Sequence, residues 1–244
     1  MGVPAKILTV GVAGCAAIVI SGCGSSGSSS GGSTSGSASG SAGASPKEPS
    51  STALVTSMQA SVRQASSVHV DGHLTNNGTP ISVNLDMHRN GDVSGTVSQN
   101  GAPFEVIGVG SAIYIKATRS FLQEVKAPTS ACAVVCGKWL QLTSAEARQL
   151  TGDLSMASLT APLSSGKVPV LTEAGSANVN GQSAWVLRAS DGSMLDVSSA
   201  SRHYPLSAST GGSPAEVVTY SQWNAAPQPA APPANQVLNL NNLK

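Results

Sequence analysis

Ile81, Val83, Leu85 and Met87 alternate with Ser82, Asn84, Asp86 and His88. This strict period of two restricts the segment to a strand with one buried face and one wet face. The strand stops at Asn90-Gly91, a pair that accepts the positive φ angles of a tight hairpin. The same signal returns at Asn77-Gly78, Asn100-Gly101, Asn180-Gly181 and Asp191-Gly192. Turns spaced about ten residues apart predict a meander of antiparallel strands. Val93 to Gln99, Phe104 to Val109 and Ala112 to Ala117 are its next members, the last two separated by Gly110-Ser111. Lys138 to Leu142 is a short strand. Strands resume from Val168 and include Ala184 to Ala189, Met194 to Ser199 and Glu216 to Ser221.

Two regions carry the helical period instead. Leu54, Met58 and Val62 recur at i, i+4 and i+8 with Val55 beside them, so Ser51 to Gln64 reads as a helix with one apolar stripe. Ser51 or Thr52 is its expected cap. Thr143-Ser144-Ala145-Glu146 fits a capping box and opens a helix to about Leu150. The apolar stretch through Met156 and Leu159 suggests a second short helix. Ala226 to Pro233 is Pro-rich and extended, and Val237-Leu238-Asn239-Leu240 is expected to return to the domain. Strands, short helices, then strands again predict an α+β domain: an antiparallel sheet with helices on one face.

The first 50 residues obey different rules. Met1 to Lys6 carries one positive charge, and Ile7 to Ile20 is an uncharged apolar run of 14 residues. A bilayer span takes about 20, so the run reads as the core of a signal peptide. Ile20-Ser21-Gly22-Cys23 follows and resembles the bacterial lipobox. That resemblance implies cleavage between Gly22 and Cys23, a diacylglyceryl group on the Cys23 thiol and an acyl chain on its new amino group. Val12-Ala13-Gly14-Cys15 is a rival, but it would cut the apolar run short. Residues 24 to 50 are mostly Gly and Ser and cannot bury enough apolar surface to offset chain entropy. They read as a tether with an r.m.s. span of about 25–30 Å. The expected organisation is a signal peptide at 1–22, a lipidated Cys and tether at 23–50, and one folded domain at 51–244. Gly27-Ser28-Ser29-Ser30-Gly31 matches a nucleophile-elbow pattern, but it lies in low-complexity chain and lacks the required strand-turn-helix setting. The expected location is the cell membrane, lipid-anchored on the extracytoplasmic face.

Net charge is +1 and no basic run exists, which argues against nucleic acid as a partner. The 12 acidic residues are dispersed. No Ser-His-Asp set, phosphate loop or paired carboxylate stands out, so catalytic residues are expected to be none and no cofactor is implied.

Several pieces, in order along the domain, resemble one family. They are Ser67-Val68-His69-Val70-Asp71-Gly72, Ala112-Ile113-Tyr114-Ile115-Lys116 and Gly137-Lys138-Trp139-Leu140. Val179-Asn180-Gly181-Gln182 leading into Trp185-Val186-Leu187 follows. Tyr220-Ser221-Gln222-Trp223-Asn224 and the tail Ala231-Pro232-Pro233 complete the set. The layout is similar to the LppX, LprA and LprG group of actinobacterial lipoproteins, related in fold to the carrier LolA. The resemblance implies a curved, half-barrel antiparallel sheet with helices packed on its concave face and an apolar cavity between. It implies a membrane-anchored protein that binds or carries an apolar or acylated ligand, a lipid or glycolipid. The chain departs from the group in its low aromatic content. The alternative is a cell-surface interaction module without a small ligand, with a hydrolase ranked last.

Candidate sites follow. Cys132 and Cys136 are spaced C-x3-C, and an oxidising compartment favours a local disulfide. His69, Asp71 and His73 project from one face of a strand. That row is either three metal ligands or, as two-residue alternation produces routinely, a solvent-facing polar row; no metal is expected. Trp139, Trp185 and Trp223 are core or cavity-lining. Leu54, Met58 and Val62 share that ambiguity, and with Trp139 and Trp185 they are the candidate ligand-lining set.

Overall fold

A computed structural model of the chain describes residues 49–76, 78–164, 171–213 and 215–239. The expected signal peptide, the lipobox-like segment with Gly22 and Cys23, the expected tether, Asn77, Val168 and Leu240 lie outside the described residues. The first helix, α1, spans Ser51–Gln64. Six strands follow: β1 Ser67–Asn76, β2 Thr79–His88, β3 Val93–Gln99, β4 Ala102–Val109, β5 Ala112–Ala117 and β6 Trp139–Gln141. Between β5 and β6 stand two short helices, α2 Arg119–Glu124 and α3 Cys132–Val135. Helices α4 Ser144–Asp153 and α5 Met156–Ser164 come next. Strands β7 Leu171–Val179, β8 Gln182–Ala189, β9 Met194–Ser198, β10 Pro205–Ser209, β11 Val217–Ser221 and β12 Val237–Asn239 complete the chain.

The strands form one open sheet in the order β12-β6-β5-β4-β3-β2-β1-β11-β10-β9-β8-β7. Two meanders meet where β1 pairs with β11, aligning Val70 with Tyr220 and Gly72 with Val218. Among the described residues every pairing is antiparallel except one. β12 runs parallel to β6, with Leu238 beside Leu140. The expectation of a purely antiparallel sheet is corrected there: the chain crosses the molecule after β11, so its last strand arrives in the same direction as β6.

The alternation read from the sequence becomes the two faces of the sheet. Ile81, Val83, Leu85 and Met87 are buried, and so are Val68 and Val70 beside them. Phe104 and Val106 of β4, Ile113 and Ile115 of β5, Leu187 of β8 and Val197 of β9 continue the same apolar surface. Helices α1, α4 and α5 supply the other side of the core through Leu54, Met58, Leu150 and Met156. The fold is α+β, a large curved sheet with helices over its concave face.

Local chemistry sets the element ends. The cap of α1 is Ser50, whose Oγ accepts from the Ala53 amide at 3.4 Å, ahead of both Ser51 and Thr52. The amide of Ser51 instead donates to Glu173 Oε1 at 2.9 Å, fixing the helix start against β7. The capping box of α4 forms as expected between Thr143 and Glu146. Helix α2 was not expected from the sequence, because six residues are too few to show a helical period. It is held by Phe121, whose ring lies 4.5 Å from that of Phe104. Strand β10 also escaped the sequence pattern; it starts at Pro205, where proline costs no ladder bond.

Candidate functional site

The last turn of α1, the β2–β3 turn and the first turns of α5 enclose a cleft of about 350 Å³. Val62, Met156 and Ala157 give it an apolar wall, Thr160 closes its base, and Arg63 and Arg89 stand beside it. Its volume falls within the range of small-molecule sites, about 300–1,000 Å³. Among the described residues lining it there is no acidic side chain.

The sequence places these groups for separate reasons. Val62 ends the apolar stripe of α1 and is buried, while Arg63 follows it around the helix and is exposed. Arg89 sits just after β2. Its amide donates to the Ser66 carbonyl at 2.8 Å. Its Nε donates to the Ala65 carbonyl at 2.8 Å and its Nη2 to those of Val62 and Arg63. Those carbonyls belong to the helix C-terminus, which carries partial negative charge; that of Val62 also accepts from the Ala65 amide at 3.3 Å. Arg89 therefore clamps the turn to the helix end and is held rigid at the cleft. The Arg63 guanidinium has no hydrogen-bond or ion-pair partner among the described residues. Neither arginine was singled out from the sequence. Only Arg63 left a signal, as a basic residue in a last helical turn.

The candidate lining set divides. Val62 reaches the cleft. Leu54 and Met58 are fully buried members of the core. Trp185 lies on the core side of β8, opposite Val197 of β9. Trp139 does not: β6 pairs Leu140 with Ile115 and Gln141 with Tyr114, so alternation turns Trp139 to the outer face. There its ring lies 5.6 Å from the Lys116 ammonium, which also pairs with Glu105 at 3.3 Å. Trp139 is nonetheless buried, on the face opposite to that of Leu140 and Ile115. Trp223 packs against the edge of the core; its ring stacks on Tyr204 at 4.8 Å, and its Nε1 donates to the Pro205 carbonyl at 3.0 Å.

Cys132 and Cys136 are joined by a disulfide within the loop between α2 and β6. The alternating polar row of β1 is engaged residue by residue with β2. His69 Nδ1 donates to Asp86 Oδ1 at 2.7 Å, Asp71 Oδ2 accepts from Asn84 Nδ2 at 2.8 Å, and His73 Nδ1 lies 2.8 Å from Ser82 Oγ. Among the described residues no group of three His, Cys, Asp or Glu side chains converges as a metal site would require. His88 and His203, which lacked partners in sequence, donate to the carbonyls of Pro227 and Ser198.

No protein-family model matches the sequence, and no curated protein matches it. Solved structures do. LprF from Mycobacterium bovis is 14% identical, with a TM-score of 0.50 over 74% of this chain and 95% of that one. The lipoprotein LppX from Mycobacterium tuberculosis is 18% identical, with a TM-score of 0.45 over 74% of this chain and all of that one. MucB in the Pseudomonas aeruginosa MucA/MucB complex is 18% identical, with a TM-score of 0.31 over 75% of this chain and 59% of its own. The likeness to LprF, at 14% identity, shows the fold alone: a LolA-like half-barrel sheet with helices on its concave face. Among the described residues no helix is long and apolar enough to cross a membrane.

Proposed function

We propose that this protein is a lipid-anchored lipoprotein of the cell envelope that binds or carries an apolar or acylated ligand. The proposed layout is a leader at 1–22, a tether from Cys23 to residue 50 and a binding domain at 51–244. The observation that carries the binding reading is the apolar-walled cleft beside Val62 and Met156, two members of the core. Removing acyl-chain surface from water there would drive binding. The shared fold of LprF supports this reading by analogy alone. The anchor reading rests on Ile20-Ser21-Gly22-Cys23. No described constellation supports catalysis, and the protein is proposed not to be an enzyme.

The full burial of Leu54 and Met58 favours a second reading, an interaction module with no small ligand. One experiment separates the two. The chain from Gly24 onward is exported behind a cleavable leader in an actinobacterial host, and lipids that copurify are quantified by mass spectrometry. Stoichiometric lipid is expected. Protein free of lipid that also fails to take up fluorescent acyl probes would leave the interaction module as the better reading.

A further inference from the structure

The cleft has two chemically distinct parts. Its wall is apolar, made by Val62 and Met156, both nearly inaccessible to solvent, and by Ala157 at the surface. Its other part is cationic. Arg63 and Arg89 line the same opening. In a chain with a net charge of +1, such a pair is not the overflow of a basic surface.

The two arginines have different duties. Arg89 spends Nε and Nη2 on helix carbonyls, and its Nη1 has no partner among the described residues. Arg63 has its whole guanidinium fork available. Planar guanidinium groups match carboxylate and phosphate oxygens two at a time. An anion placed here would meet a rigid donor in Arg89 and an adjustable one in Arg63, with no lining carboxylate to repel it. The negative end of the α1 dipole is already covered by Arg89 and so weighs little against an anion.

We propose that this cleft is selective for an anionic monoacyl lipid, with the head on Arg63 and Arg89 and the chain along Val62, Met156 and Ala157. The proposal rests on the lipid-binding reading above and names the ligand class for it. A single chain suits a cleft near the lower end of ligand-site volumes. A neutral lipid would gain the same apolar contact but offer no charged partner to Arg63 or to the Nη1 of Arg89.

The test uses the full chain reconstituted in phosphatidylcholine vesicles. Two photo-reactive probes carry the same diazirine acyl chain, one as a lysophosphatidic acid and the other as a monoacylglycerol. Crosslinked peptides are mapped by mass spectrometry. The anionic probe is expected to label peptides around Val62 or Met156 at least about ten-fold more than the neutral one, as one charge-assisted contact suggests. Arg63→Glu should reduce that labelling about ten-fold, and Arg63→Gln by less. Arg63 makes no side-chain bond within the described fold, so both variants are expected to keep the wild-type circular dichroism. Ala157→Trp, which fills the cleft without touching charge, should also abolish labelling.

Equal labelling of the cleft by both probes, unchanged in Arg63→Glu, would overturn the headgroup assignment and leave lipid binding intact. An unlabelled cleft in protein that still copurifies with lipid would overturn the site alone. An unlabelled cleft in protein that carries no lipid would overturn both readings. Full protection by millimolar inorganic phosphate, with Ala157→Trp labelling as strongly as wild type, would mean a simple anion site and would also overturn the proposal.

Discussion

Gln228 Nε2 donates to Asp92 Oδ2 at 2.6 Å, across a sequence separation of 136 residues. Asp92 sits in the turn between β2 and β3 and is buried. Its other oxygen accepts from the Gly110 amide at 2.8 Å, in the turn between β4 and β5. Asn90 Nδ2 donates to the same oxygen as Gln228. One carboxylate therefore gathers two hairpin turns and the Pro-rich segment that follows β11. His88 Nε2 donates to the Pro227 carbonyl beside it at 2.9 Å.

This geometry predicts a specific acid sensitivity. The amide of Gly110, then Asn90 and Gln228, then the His88 charge, hold the Asp92 carboxyl below its ordinary value despite the opposing effect of burial. A carboxylate whose folded pKa is depressed adds stability above its unfolded pKa, about 3.9. That contribution is lost as pH falls through the lower, folded value. Urea unfolding of wild type and Asp92→Asn between pH 7 and pH 2 should show a constant gap above about pH 5 that closes towards pH 2. At neutral pH the gap is expected to be about 2 kcal/mol, the scale of hydrogen bonds to a charged group. A gap independent of pH would contradict this.

Gly95 of β3 has φ +144°, and a Cβ there would lie 2.0 Å from the Asn84 carbonyl oxygen of β2. Backbone meets backbone, so no rotamer relieves the clash. Gly95→Ala should cost more than about 3 kcal/mol and disturb the β2–β3 pairing. Gly101, at φ +76° with nothing within 4 Å, should cost only about 1–2 kcal/mol as Ala, the left-handed penalty. Thermal unfolding of the two variants tests the ranking.

Met58 distinguishes packing from ligand lining. Its side chain has no solvent exposure, so Met58→Ala should destabilise by about 2–5 kcal/mol. Labelling of the cleft by an acyl probe should stay unchanged. Lost labelling with unchanged stability would return Met58 to the ligand-lining set.

Cys23→Ser should release the anchor. Metabolic labelling with a fatty-acid analogue and membrane fractionation are the measurements. The expected outcome is loss of label together with loss of lipoprotein processing, while Cys15→Ser changes neither. Continued acyl labelling of Cys23→Ser would move the anchor to another residue.

Much of the fold was legible in the sequence. The alternation at Ile81–Met87 names the buried face, and Asn90-Gly91 and Asn180-Gly181 set the hairpins. These signals are local: strand parity and turn conformation depend on neighbouring residues only. The capping box at Thr143 and Glu146 was legible for the same reason. The cleft was not, because Arg63, Arg89 and Met156 lie on three elements whose approach depends on how the helices cross the sheet. The side of the sheet on which Trp139 lies was not legible either, because its parity is meaningful only relative to Ile115 on β5.

By itself the sequence determined the strand alternation, the hairpin turns and the amphipathic first helix of a strand-rich domain; a leader at 1–22 before Cys23 and a Gly- and Ser-rich tether are what it proposes. Each follows from composition or from period, which the chain carries along its own length. Only the tertiary structure decided that β1 joins β11 into one sheet, that β12 returns parallel to β6, and that Asp92 binds turns and tail together. It also decided which apolar residues fill the core and which face the cleft. Those outcomes rest on contacts between distant segments, where close approach and desolvation, rather than local preference, select the partner.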